Sequence, residues 1–173
     1  MNKLIIATLV AIIGIGVTYA ISPYFTSSTV NEALPNSAAP LKIEDTTMMK
    51  DESMMKDEPT IEDMVIQTYG GTFVGVGDGI HDAQGIVRTI PLNDGNNVLR
   101  LENFKATNGP DLYVYLSTDN KASEFVSLGK LKANNGNQNY DIPENTDLEK
   151  YGKVLIWCKA FGVLFGNADL FPQ

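Results

Sequence analysis

From residue 71 onward the chain is broken into short runs of β-branched and aromatic residues, each closed by Gly, Asn, Asp or Pro. The runs are GTFVGVG (71–77), GIVRTIPL (85–92), NVLRLENF (97–104), DLYVYLS (111–117), NYDIP (139–143) and KVLIWCKAFGVLF (153–165). No long stretch repeats its apolar residues at the 3.6-residue helical period, so strands must supply the core. In the fourth run Leu112, Val114 and Leu116 fall on one face, and Tyr113 and Tyr115 on the other. Asp94-Gly95, between two such runs, suits a hairpin that needs positive φ, and Asn108-Gly109-Pro110-Asp111 reads as a turn. KASEFVSLGKLK (121–132) fits either a short helix or an irregular strand. The expected fold class is all-β, an antiparallel β-sandwich of Ig-like or jelly-roll-like type.

The N-terminal part follows different rules. LIIATLVAIIGIGVTYAI (4–21) carries no charge, and as a helix it would reach ~27 Å, close to the thickness of a bilayer's hydrocarbon. With Lys3 before it and acidic sequence after it, the expectation is one N-terminal transmembrane helix that leaves the C-terminal part outside the cytoplasm. Cleavage near Thr18-Tyr19-Ala20 would instead release a secreted protein, but the apolar run is longer than a usual signal-peptide core, which favours an uncleaved anchor.

Residues 26–64 are poor in aromatics and large aliphatics and cannot bury enough apolar surface to offset their ordering entropy, so a disordered acidic tether is expected there. Within it MMKDES and MMKDEP repeat, placing Met48, Met49, Met54 and Met55 in two pairs. Thioethers favour soft ions such as Cu(I), yet a low-complexity linker grown by repetition accounts for the pattern as well. Residues 1–63 carry a net charge of −5 and residues 64–173 a net −3, which supports a boundary near 64. The expected organisation is 1–25 anchor or signal segment, 26–64 Met-rich linker, and 65–173 β domain. A net charge of −8 gives a grip on nucleic-acid phosphates no electrostatic footing, so no nucleic-acid partner is expected.

VLIWCKAFGVLFG (154–166) holds the chain's single Cys, Cys158, beside its single Trp, Trp157. Val154, Ile156 and Cys158 share one face and Leu155 and Trp157 the other, so the strand should be central and buried on both sides. A free Cys in such a place behaves as a small hydrophobe and stays inert. Against this, an unpaired thiol in an oxidising compartment is a hazard unless it is buried or used.

The soft-ligand inventory after Met64 is Cys158 and the single histidine, His81. That excludes a blue-copper site, a structural zinc, covalent haem and a dithiol pair. Non-covalent haem on Cys158 or His81, a mixed disulfide with another protein, and a Cys-His nucleophile pair stay open. The glycines from 70 to 79 lack a dinucleotide fingerprint and suit strand-edge turns, and Asp78, Asp82 and Asp94 lack the oxygen spacing of a calcium loop.

Several segments, in order, carry a resemblance: G-T-F (71–73) with His81-x-x-x-Gly85, LRLENF (99–104), NGPDLYVYLS (108–117), LGKLK (128–132), GNQNYDIP (136–143) and the run 154–170. Together they resemble the DM-thirteen domain family, the electron-transfer module associated with DOMON domains in Skeletor-type proteins. The resemblance implies a β-rich fold. It also implies that Cys158 corresponds to the family's cysteine, acting as a bare thiol or as ligand of a prosthetic group such as haem. Asp111 and Trp157 fall in the same motifs, and His81 matches a histidine of the family, making all four candidate cofactor-binding residues.

The leading expectation is a membrane-anchored extracytoplasmic electron-transfer module working on Cys158 with a redox or cell-envelope protein partner. The alternative is a non-catalytic extracytoplasmic binding or adhesion β-sandwich in which Cys158 fills core volume.

Overall fold

The structure is a computed structural model that describes residues 3–21, 26–36 and 67–173. It holds one helix, α1 (Lys3–Ile21), and eleven strands among the described residues. The strands are β1 (Thr29–Asn31), β2 (Tyr69–Thr72), β3 (Val74–Gly75), β4 (Ala83–Pro91), β5 (Asn97–Ala106), β6 (Leu112–Ser117), β7 (Phe125–Lys130), β8 (Asn135–Ile142), β9 (Lys153–Cys158), β10 (Val163–Asp169) and β11 (Phe171–Pro172).

They form two sheets, in the orders β1-β8-β5-β4-β2-β11 and β3-β10-β9-β6-β7. Cross-strand register sets the inner faces. Val87 lies opposite Leu101, Leu99 opposite Tyr140, Leu112 opposite Cys158, and Val114 opposite Ile156. All of these side chains enter one hydrophobic core shared by the two sheets, which makes the domain a β-sandwich.

Local chemistry places the turns. Between β4 and β5, Gly95 takes φ 86°, its N–H donates to Leu92 O at 3.1 Å, and Asp94 Oδ1 accepts from Asn96 N at 3.0 Å. The run 153–165 is two strands, not one: residues 159–162 form the turn between β9 and β10. Residues 125–130 resolve as an irregular edge strand, with a register shift at Val114/Tyr115 opposite Gly129. GTFVGVG is split between the sheets: β2 joins the first and β3 the second, and buried Phe73 marks the crossing.

Two features depart from the expectations. The transmembrane helix, membrane attachment through it, and the membrane-anchored localisation are corrected, because among the described residues no helix is long and apolar enough to cross a membrane. A span needs about 20 consecutive apolar residues. The pairing is also not wholly antiparallel. Residues 29–31, inside the stretch expected to be a free tether, form β1 and pair parallel with β8. The methionine pairs 48–49 and 54–55, with the rest of residues 37–64 of the expected tether, lie outside the described residues.

The inner face of β8 carries two polar groups, both satisfied. Gln138 uses its amide as a peptide group would, accepting from Ala133 N at 3.2 Å and donating to Ala133 O at 2.8 Å. The Tyr140 hydroxyl donates to Gln138 Oε1 at 2.7 Å and accepts from Lys132 N at 3.0 Å. Burial pushes the Tyr140 phenol up to about 12. Because the folded state favours the neutral phenol, this contribution is complete below pH ~10 and is lost as pH rises through the folded value. It amounts to about 2–3 kcal/mol at 1.36 kcal/mol per unit. Alkaline unfolding followed by circular dichroism should therefore show a stability loss between pH ~10 and ~12 that Tyr140→Phe removes.

Candidate functional site

The sequence-derived candidates share one end of the second sheet but not one face. Cys158, the last residue of β9, points inward and is 1% exposed. Its cross-strand neighbours are Leu112 on β6 and Val163 on β10, both apolar. Trp157, one residue earlier, turns to the outer face opposite Tyr113 and Leu164. Asp111 precedes β6. Its carbonyl accepts from Lys159 N at 2.9 Å, and its carboxylate lies 3.9 Å from Lys130 Nζ at the surface.

His81 sits in the loop between β3 and β4. Its ring meets Phe165 edge-on at 4.5 Å, and its Nδ1 lies 2.6 Å from Asp78 Oδ2. The Asp78 carboxyl is held down to about 2 by the His81 main-chain N–H first, then by the His81 ring and the Ile80 N–H. An ionised carboxylate can only accept, so Nδ1 carries the proton in this pair. His81 thus reaches the core through Phe165, and its polar partner is Asp78, not the thiol.

This arrangement tests the prosthetic group that the resemblance implies. Haem needs an open cavity beside an axial ligand. Cys158 is enclosed by apolar neighbours, the His81 ring is taken up by Asp78 and Phe165, and neither residue lines either described pocket. The residues present do not fit the group. Among the described residues there is also no cluster of His, Cys, Asp and Glu able to hold a metal ion.

The largest described concavity lies elsewhere, on the outer face of the first sheet. It is a groove of about 780 Å³ across β4, β2 and β11. Gly70 and Gly71 lie along it, and Ile86, Ile90, Val74 and Phe171 supply apolar lining. Leu34, from the segment after β1, also lines it. Ile86 and Phe171 are exposed, at 44% and 62%. Arg88 is the cation among the lining residues, and it is paired with Glu102. These residues went unnoticed in the sequence because GIVRTIPL is apolar on both faces and the neighbouring glycines look like turn material.

Residues 72–170 match the family model described as Electron transfer DM13, more than half of the chain. The chain belongs to the Electron transfer DM13 family. No curated protein and no solved structure matches it. The match begins at the last residue of β2 and stops before β11, so both edge strands of the first sheet, β1 and β11, and most of β2 lie outside the family model. The reading of a membrane-anchored electron-transfer module is corrected, because the described residues provide no membrane-spanning helix to anchor it.

Proposed function

We propose that this DM13 domain is a non-catalytic binding module, a β-sandwich that holds an apolar ligand or partner segment across β2, β4 and β11, with Cys158 filling core volume. The observation that carries this reading is the groove. At about 780 Å³ it falls within the usual range of ligand pockets, with apolar walls and one orienting cation, Arg88. In this organisation residues 65–173 are the working domain, and the part of the expected tether around β1 is packed onto it.

The test uses the full chain and 1-anilinonaphthalene-8-sulfonate, whose rings suit the apolar walls and whose sulfonate suits Arg88. Saturable, blue-shifted fluorescence is expected. Ile86→Glu should weaken it by about tenfold, equivalent to ~1.4 kcal/mol, by setting a carboxylate among the apolar walls. Cys158→Ala should leave the affinity within about twofold while lowering stability by ~1–3 kcal/mol through lost packing. If Cys158→Ala abolishes binding in a folded protein, or Ile86→Glu leaves it intact, the groove is not the site.

A further inference from the structure

β1 stands far from its neighbours in sequence. It lies at the edge of the first sheet beside β8, separated from β2 by residues 32–68, and outside the stretch that matches the family model. Without it β8 would be an edge strand.

The β8 edge is shaped to receive it. Gly136 takes φ 103°, and a Cβ there would overlap Val30 O, so only glycine lets the strand approach. Main-chain bonds run from Asn135 N to Ser28 O at 3.1 Å and from Glu32 N to Asn137 O at 2.9 Å. Side chains then identify the segment. Asn31 Oδ1 accepts from Asn137 N at 3.1 Å, and the Glu32 carboxylate accepts from Asn139 N at 2.6 Å and Lys132 Nζ at 2.8 Å. Finally, the buried Arg100 guanidinium donates to the carbonyls of Glu32 and Ala33 at 3.3 and 3.2 Å. A ladder for affinity and side-chain contacts for specificity are the two components of peptide recognition by strand addition.

We propose that the β8 edge is a strand-acceptor site and that its partner in trans is the same segment, Ser28–Ala33, of a second copy of this chain. The acceptor's chemistry is specific for this segment, and every contact above is identical whether the strand comes from its own chain or a neighbour's. Residues 37–66 join the segment to the domain, and thirty residues can extend to roughly 100 Å, so chain length does not restrict the strand to its own acceptor. Pairing within one chain dominates when copies are dilute, and exchange grows with local concentration. This inference is independent of the groove, and either can fail alone.

Two full-length variants test it. Glu32→Pro removes the Glu32 N–H and carboxylate, leaving a chain with an acceptor but no competent strand. Gly136→Val blocks the acceptor and leaves the strand. Each alone should be monomeric by light scattering, and an equimolar mixture should yield a one-to-one heterodimer. In parallel, a fluorescent peptide of residues 26–36 should bind the Glu32→Pro chain saturably, and at least tenfold more weakly once Arg100→Ala is added. Should Gly136→Val fail to fold, mixing Glu32→Pro with labelled wild-type chain replaces that arm. The proposal is overturned if folded Glu32→Pro binds neither peptide nor chain, if a scrambled peptide binds equally well, or if the peptide binds but no heterodimer forms. In that last case the edge serves only as a clasp within one chain.

Discussion

Phe104→Ala is expected to lower the free energy of unfolding by about 3–5 kcal/mol, the range for truncating a fully buried aromatic. Phe104 is 2% exposed on the inner face of β5 and meets Phe73 edge-on, with ring centroids 5.4 Å apart at 69°. That contact lies where the chain leaves one sheet for the other, because Phe73 separates β2 from β3. Its loss therefore opens a cavity at a crossing between sheets, where two β ladders restrain the collapse that would fill it. Phe104→Leu retains much of the volume and should lose less than half as much. Urea unfolding at constant slope measures both. If Phe104→Ala costs under about 1 kcal/mol, the core is not packed around this pair. Domains of this size are commonly stable by only 5–15 kcal/mol, so the alanine variant would lose a large share of the total.

The parts of the fold that could be read in the sequence are those written by local rules. Strict alternation over 112–116 places Leu112, Val114 and Leu116 in the core, because side chains on a strand have a period of two. Asp94-Gly95 yields its turn because only a positive φ closes so short a connection. Cys158 sits where its neighbours on 154–158 put it, sealed on the inner face of a central strand.

What stayed hidden depends on residues distant in sequence. TVN at 29–31 has no apolar pattern of its own, and its place is determined by Gly136, Asn137 and Arg100. The groove escaped notice for the same reason: Leu34, Ile86 and Phe171 come from separate parts of the chain and meet only after the sheet has formed. His81 and Cys158 formed a pair only by elimination from a short inventory of soft ligands, and elimination carries no information about which way a side chain faces.

Arg100→Ala is expected to cost about 3 kcal/mol and to free the β1 segment before the sandwich unfolds. The Arg100 side chain is 6% exposed on the outer face of β5. Nε donates to Glu102 Oε1 at 2.9 Å and Nη1 to Asn139 Oδ1 at 2.7 Å, besides the two carbonyls of residues 32 and 33. Removing one member of a buried charge network typically costs 3–5 kcal/mol, because its partners are left desolvated. Here Glu102 keeps Arg88, which holds the loss near the lower end. Of the two carbonyls, Ala33 O keeps the Asn139 amide at 2.9 Å while Glu32 O loses the Arg100 donor, so the local effect should exceed the global one. Hydrogen exchange at Glu32 N, which donates to Asn137 O, should accelerate by more than tenfold in Arg100→Ala, while amides of β9 slow or quicken only with global stability. Arg100→Lys keeps the charge but not the planar fork that serves four acceptors, so it should recover less than half of the loss. The pair Arg100→Met with Glu102→Leu, which removes the charges together, should restore the sandwich to near wild-type stability yet leave Glu32 N exchanging rapidly. Slow exchange in that double variant would mean that the β8 ladder alone holds the strand, and that Arg100 serves the sheet rather than the segment lying across it.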